Sequence, residues 1–111
     1  MKKFTLLIFL LINHLSFGQT LLQPGEIIIT GYNADDADQF TFVLLTETST
    51  GTVVKFTDNS WNNTTSSFST SEGIIEWHSD HDFPCGTEIT LTDTSGNTFT
   101  PSIGVVPTNP T

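Results

Sequence analysis

Short runs of alternating apolar and polar residues recur along the chain and are separated by turn-forming residues. In the run 87–92, Ile89 and Leu91 alternate with threonine and glutamate. Alternation with a period of two places alternate side chains on one face of a β-strand. Similar runs, rich in Thr, Val, Ile and Phe, occupy 26–30, 39–46, 52–57, 73–78 and, more briefly, 98–100. The pattern predicts six strands, and no segment after residue 18 has the period of a helix.

Six short strands with turn signals between them favour an all-β fold over a parallel α/β fold. The specific prediction is an immunoglobulin-like antiparallel β-sandwich of about six to seven strands. Three polar connections, 33–38, 59–72 and 79–86, stand out between the strands. The longest of them, 59–72, is rich in Asn, Ser and Thr, and this composition predicts a mobile loop.

The first 18 residues differ from the rest of the chain. Lys2 and Lys3 precede a short apolar run, and Ser16 and Gly18 supply small residues before Gln19. This order is typical of a secretory signal peptide that is cleaved near Gly18–Gln19. The apolar run is shorter than the roughly 20 residues of a membrane-spanning helix. We therefore expect a secreted or cell-surface protein whose mature chain is not inserted in a membrane.

The sequence predicts one β-sandwich domain over 19–100. The remainder, 101–111, is rich in Pro, Ser and Thr and is expected to form a linker or tail. A linker at this position suggests the front of a longer architecture or a truncated copy of one. Cys85 is the only cysteine, so no internal disulfide can form, and its turn-like context predicts a semi-buried position without a chemical role.

Charge narrows the range of partners. Cleavage of the signal leaves Lys55 as the only lysine against twelve carboxylates, and no arginine occurs anywhere, so the formal net charge is −11. Such a chain is repelled by nucleic-acid phosphates and by anionic lipid head groups. Neutral glycans, polycations, divalent cations and protein surfaces remain as partners, and an open sheet edge would also accept a partner strand or a neighbouring domain.

Four parts of the chain resemble a module of secreted, multi-domain bacterial surface proteins. They are Gly25–Asn33 with Asp38–Leu45, then Gly51–Trp61, Glu72–Trp77 and Gly86–Leu91. These modules look like distant relatives of the lamin-tail domain, a small immunoglobulin-like sandwich, and the resemblance covers about residues 24–93. It implies no catalytic activity. The expected function is that of an exported, non-enzymatic module for adhesion, or of a scaffold or spacer beside other domains.

The acidic loop 33–38 is a candidate calcium site. Asp35, Asp36 and Asp38 place carboxylates in a short loop, and oxygen ligands of this kind suit Ca²⁺. The alternative is ordinary turn chemistry, because Asp and Asn satisfy turns with their own side chains. A calcium-stabilised spacer is therefore one alternative function, and the main prediction needs no cofactor apart from this possible Ca²⁺.

The segment 78–82 is the second candidate metal site. His78 and His81, with Asp80 or Asp82, are residue types that bind Zn²⁺, and an open coordination position would permit hydrolysis. A small metal-dependent hydrolase is therefore a further alternative. Against it, residues 78 and 81 point to opposite faces in an extended strand, and the mature chain has no third histidine. The competing interpretation is a polar loop.

Two tryptophans suggest a carbohydrate ligand, because exposed indole rings stack on sugar faces. Trp77 lies in an alternating strand, so we expect it in the core. Trp61 lies near the start of the polar connection 59–72, before its stretch rich in Asn, Ser and Thr, and is the candidate ligand-binding residue.

Overall fold

The computed structural model describes residues 19–35, 37–70, 72–95 and 98–107. The predicted signal peptide, 1–18, and the last residues of the predicted tail, 108–111, lie outside the described residues. The described part of the chain has no helix, and so none that could cross a membrane. Its strands are β1 (Ile27–Asn33), β2 (Gln39–Leu44), β3 (Val53–Thr57), β4 (Trp61–Asn62), β5 (Ser67–Phe68), β6 (Ile74–His78), β7 (Glu88–Asp93) and β8 (Phe99–Pro101).

The strands form a four-stranded sheet in the order β1-β2-β7-β8 and two pairs, β3-β6 and β4-β5. Every pairing is antiparallel, so the prediction of an all-β antiparallel fold is confirmed. All six predicted strands are present, as β1, β2, β3, β6, β7 and β8. β1 is longer than predicted, because pairing with β2 resumes at Gly31 after a bulge and continues to Asn33.

Alternation in β2 and β7 builds the core. Phe42 and Leu44 of β2 and Ile89 and Leu91 of β7 are fully buried, and Phe42 lies opposite Ile89 in the antiparallel ladder. The inward position of Ile89 and Leu91 agrees with the sequence pattern. Full burial of one such side chain stabilises a fold by about 1.5–3 kcal/mol, so this face carries much of the stability of the domain.

The four-stranded sheet packs against the β3-β6 pair through aromatic rings. The ring centroid of Phe42 lies 4.8 Å from that of Phe56 in β3 and 5.5 Å from that of Trp77 in β6. The planes of Phe42 and Trp77 meet at 81°, an edge-to-face contact. Two layers with facing apolar side chains are what a small β-sandwich requires. The immunoglobulin-like strand topology stays a prediction.

The domain continues into the segment for which the sequence predicts a tail. Pro101 ends β8, and the indole N–H of Trp77 donates a 2.8 Å hydrogen bond to the carbonyl oxygen of Ile103. His78 and Val105 exchange backbone hydrogen bonds of 2.7 and 2.9 Å. The domain boundary therefore lies beyond residue 100. Proline does not prevent pairing here, because β8 is an edge strand.

Candidate functional site

A short hairpin, β4–β5, presents two aromatic side chains at the surface. Trp61 lies opposite Phe68, and their rings meet edge to face with centroids 4.9 Å apart. Trp61 is 53% exposed and Phe68 is 55% exposed. The two rings support each other and still leave ring surface open to a ligand. Trp61 is the residue that the sequence singles out, whereas Phe68 is not visible as its partner from sequence alone.

Local hydrogen bonds shape the turn of this hairpin. Asn62 Oδ1 accepts hydrogen bonds from the backbone N–H groups of Thr64, at 2.9 Å, and Thr65, at 3.3 Å. The hydroxyl oxygens of Thr65 and Ser67 lie 2.7 Å apart. Ser66 adopts the left-handed backbone conformation with a φ of 51°. The segment predicted as a mobile loop thus contains a hairpin, and its Asn, Ser and Thr side chains bond within the turn.

Asn59 fixes the base of the hairpin. This side chain is buried, with 7% of its residue surface exposed. Its amide nitrogen donates to Thr57 Oγ1 at 2.7 Å and to the carbonyl oxygen of Glu72 at 3.1 Å. Its Oδ1 accepts from the Ser69 hydroxyl at 3.2 Å and from the Glu72 backbone N–H at 2.8 Å. One side chain therefore ties the end of β3 to the strand that returns from the hairpin.

The hairpin carries no charged side chain. No charged residue occurs in the sequence between Asp58 and Glu72, and amide and hydroxyl side chains surround the aromatic pair. Apolar ring surface combined with hydrogen-bonding groups is the kind of surface that binds sugars, whose C–H faces stack on rings and whose hydroxyls need partners. The hairpin is therefore the strongest candidate for a binding surface in the described chain.

The residues predicted to bind zinc have other partners. His78 Nε2 lies 3.1 Å from Glu76 Oε2, and Glu76 also pairs with Lys55 at 3.1 Å. The bond with His78, and then that with Lys55, lowers the pKa of Glu76. His81 Nδ1 lies 2.8 Å from Asp80 Oδ1. Among the residues that the structure describes, no three His, Cys, Asp or Glu side chains form a group that could hold a metal ion.

Asp82 connects the segment 79–83 to the turn 48–52. Its Oδ1 accepts hydrogen bonds from the backbone N–H of Thr50, at 2.8 Å, and from the Thr50 hydroxyl, at 2.9 Å. Both bonds hold the pKa of Asp82 below its ordinary value, and the bond from the backbone N–H has the larger effect. Thr48 and Phe83 exchange backbone hydrogen bonds of 2.9 and 2.8 Å beside them. Asp82 therefore has a structural role in joining two loops.

The lowered pKa of Asp82 predicts an acid-dependent stability. Because the pKa is lower in the folded than in the unfolded chain, the ionised carboxylate stabilises the fold at neutral pH. This contribution is lost as the pH falls from about 4, the ordinary value for aspartate, through the folded pKa. In urea unfolding at several pH values, Asp82→Asn should flatten the acid limb of the stability curve. Asp58→Asn, which removes an equal charge but no bond to Thr50, is the control, and parallel curves for the wild type and Asp82→Asn would contradict the prediction.

A shallow cleft of about 440 Å³ lies beside this connection. Its lining residues are Thr20, Glu47, Thr48, Ser49, Asp82, Phe83 and Pro84. Cys85 follows Pro84 in the chain. It is exposed, whereas the sequence predicts a semi-buried position. The lining contains hydroxyl groups and two carboxylates, of which that of Asp82 is bonded to Thr50.

The candidate calcium loop is only partly described. Asp36 lies outside the described residues. Asn33 Oδ1 accepts a hydrogen bond from the backbone N–H of Asp35 at 3.0 Å, and the carbonyl oxygen of Asp38 accepts one of 2.7 Å from Asp93. Ala37 has a φ of 70°. The first bond lies within the connection between β1 and β2, and the second joins this connection to the end of β7. Calcium binding by Asp35, Asp36 and Asp38 stays a prediction.

Comparison of the chain with protein-family models, with curated proteins and with solved structures gave no match. The geometry alone therefore carries the functional argument. The sequence singled out Trp61, and the structure adds Phe68 and Asn59. No local sequence pattern marks Asn59, because its burial between two strand ends depends on the fold.

Proposed function

We propose that the chain is an exported, non-enzymatic β-sandwich module of a secreted or cell-surface protein, and that it acts in adhesion by binding neutral glycans on the β4–β5 hairpin. The observation that carries the proposal is the exposed, edge-to-face pair of Trp61 and Phe68 on an ordered hairpin. The resemblance to lamin-tail-like modules of bacterial surface proteins is in line with a module of this kind. The open edge strand β1 offers a second surface, to a protein partner.

Charge favours a neutral ligand. The mature chain carries a net charge of −11 if the signal is cleaved as predicted, so polyanionic glycans are repelled. The hairpin itself has no charge between Asp58 and Glu72, so binding should depend on stacking and hydrogen bonds. We therefore expect affinity that changes little between low and high salt, since screening acts on charges.

The tryptophans provide a direct test. The chain has two of them, of which Trp61 is exposed and Trp77 is fully buried. A neutral glycan that binds the hairpin should change the emission of Trp61 and leave that of Trp77 unchanged. A glycan array followed by fluorescence titration should therefore give saturable binding, and Trp61→Ala should weaken it at least tenfold because stacking is lost.

Tyr32→Ala is the matched control, because Tyr32 is another exposed aromatic side chain, 84% exposed, and lies outside the hairpin. Its affinity for the glycan should equal that of the wild type. Absence of binding to any neutral glycan, or equal binding by Trp61→Ala and the wild type, would overturn the proposal.

A further inference from the structure

The outer strand β1 is an unprotected edge of the four-stranded sheet. Among the described strands it pairs only with β2. Its sequence, Ile27–Asn33, has no charged residue and no proline, although edge strands usually carry such residues to block pairing with other chains. Three of its large side chains are exposed: Ile28 at 49%, Ile29 at 59% and Tyr32 at 84%.

Two of these side chains lie on the face that elsewhere forms the core. Ile29 is opposite Phe42 and Tyr32 is opposite Phe40 in the ladder with β2. Directly opposed residues project from the same face of a sheet. Phe42 is fully buried beneath the second layer, whereas Ile29 is mostly exposed. On the core-facing side of β1, Ile27 is half-buried and packs against the core, whereas the part of this face that carries Ile29 and Tyr32 is left uncovered.

The second layer explains why. Phe56 of β3 contacts the rings of Phe40 and Phe42 in β2, and β6 is bridged on its other side by Val105. Within the described chain β3 pairs only with β6. The second layer thus ends with β3, which packs on β2. No described strand extends this layer over Ile29.

The backbone of β1 can accept another strand. The backbone N–H of Leu45 donates to the carbonyl oxygen of Glu26 at 2.8 Å. Because bonded and non-bonded pairs alternate in antiparallel ladders, the N–H and C=O groups of Ile27 and Ile29 point away from β2. The bulge between Ile29 and Gly31 limits this regular row to the first half of the strand.

Charge identifies the class of occupant. Carboxylates flank the uncharged strand, with Glu26 before it and Asp35 and Asp38 after it. A second copy of this chain, paired antiparallel through β1, would place Glu26 of each copy near Asp35 of the other, and like charges at both ends would oppose pairing. A strand with an apolar centre and basic residues at both ends has the complementary charge.

We propose that β1 binds an extended segment of a different protein by strand addition, and that this segment has a β-branched, apolar centre flanked by lysine or arginine. Glu26 and Asp35 are nine positions apart. Because paired strands have the same rise of about 3.3 Å per residue, the basic residues of the partner segment should be separated by a similar number of positions. This proposal does not depend on glycan binding by the hairpin.

A pair of synthetic peptides tests the proposal with the purified protein. Both have the centre Thr-Val-Thr-Ile-Thr-Val-Thr; one is flanked by lysines and the other by glutamates. We expect saturable binding of the lysine peptide, at least tenfold weaker binding of the glutamate peptide, and slower hydrogen exchange of the Ile27 and Ile29 amides in the complex. Equal binding of the two peptides, or binding without protection of these amides, would overturn the proposal.

Two variants locate the binding. Ile29→Lys places a charge on the uncovered face of β1 and should weaken binding of the lysine peptide at least tenfold. Leu21→Lys makes the same charge change at a residue that is 80% exposed and lies outside the strands, and it should bind within about twofold of the wild type. Equal loss in both variants would contradict a site at β1. Dimerisation of the wild-type protein that Ile29→Lys abolishes would show that the occupant is a second copy, and would also overturn the proposal.

Discussion

Replacement of Gly104 by alanine should destabilise the domain by about 3 kcal/mol, the largest effect that we expect from a single added methyl group. Gly104 has a φ of +81°, which costs a residue with a side chain about 1–2 kcal/mol. A Cβ at this position would overlap the indole nitrogen of Trp77 and lie 2.8 Å from the carbonyl oxygen of His78. Overpacking of a filled core adds about 1–3 kcal/mol.

The neighbours of Gly104 cannot easily move. Trp77 is fully buried and hydrogen-bonded to Ile103. Val105, the residue after the glycine, is held by its backbone bridge to His78. Gly25→Ala is the matched control, because Gly25 has a φ of +88° and nothing within 4 Å of the added Cβ. Urea unfolding of both variants separates the backbone cost from the overlap. Equal losses of stability in Gly104→Ala and Gly25→Ala would show that the segment after β8 does not pack on Trp77.

This segment also shows where prediction from sequence stops. The central strands β2 and β7 were predictable because each buries one face, and burial imposes a period of two, as in Ile89 and Leu91. The segment 101–106 has no such period. It belongs to the domain because Ile103 and Val105 meet Trp77 and His78, more than 25 positions earlier in the chain, and proline and glycine in the segment have the composition of a linker.

The candidate site was predictable only in part. Trp61 could be singled out because a tryptophan beside a polar loop is either packed or available to a ligand. The hairpin that presents it could not, because β4 and β5 have two residues each, too few to show alternation. The cluster 78–82 looked like a site because its residues are adjacent in sequence. Its partner Thr50 lies 32 positions from Asp82, so the role of Asp82 in joining two loops was not visible.

Replacement of Asn59 by alanine is expected to destabilise the protein by about 2–3 kcal/mol and to disorder the hairpin. The substitution removes the four hydrogen bonds of the amide group and leaves Thr57 and Glu72 without these partners. A net contribution of about 0.5–1.5 kcal/mol for each bond gives a total of about 2–6 kcal/mol for the four bonds. We expect the lower part of this range because Glu72 is exposed and water can replace part of the loss. The loss of stability is measured by urea unfolding.

The effect on the hairpin has its own readout. If Asn59 holds β4 and β5 in place, the Asn59→Ala variant should expose Trp61 to a fluorescence quencher more than the wild type under conditions in which the core remains folded. Asn63→Ala is the control, because Asn63 is an exposed residue of the same hairpin, and its quenching and stability should match those of the wild type. If glycan binding depends on an ordered aromatic pair, Asn59→Ala should lose affinity although both rings are still present. Unchanged quenching and affinity in Asn59→Ala would mean that Trp61 and Phe68 keep their arrangement without the buried amide, and that the turn bonds of Asn62 are sufficient to form the hairpin.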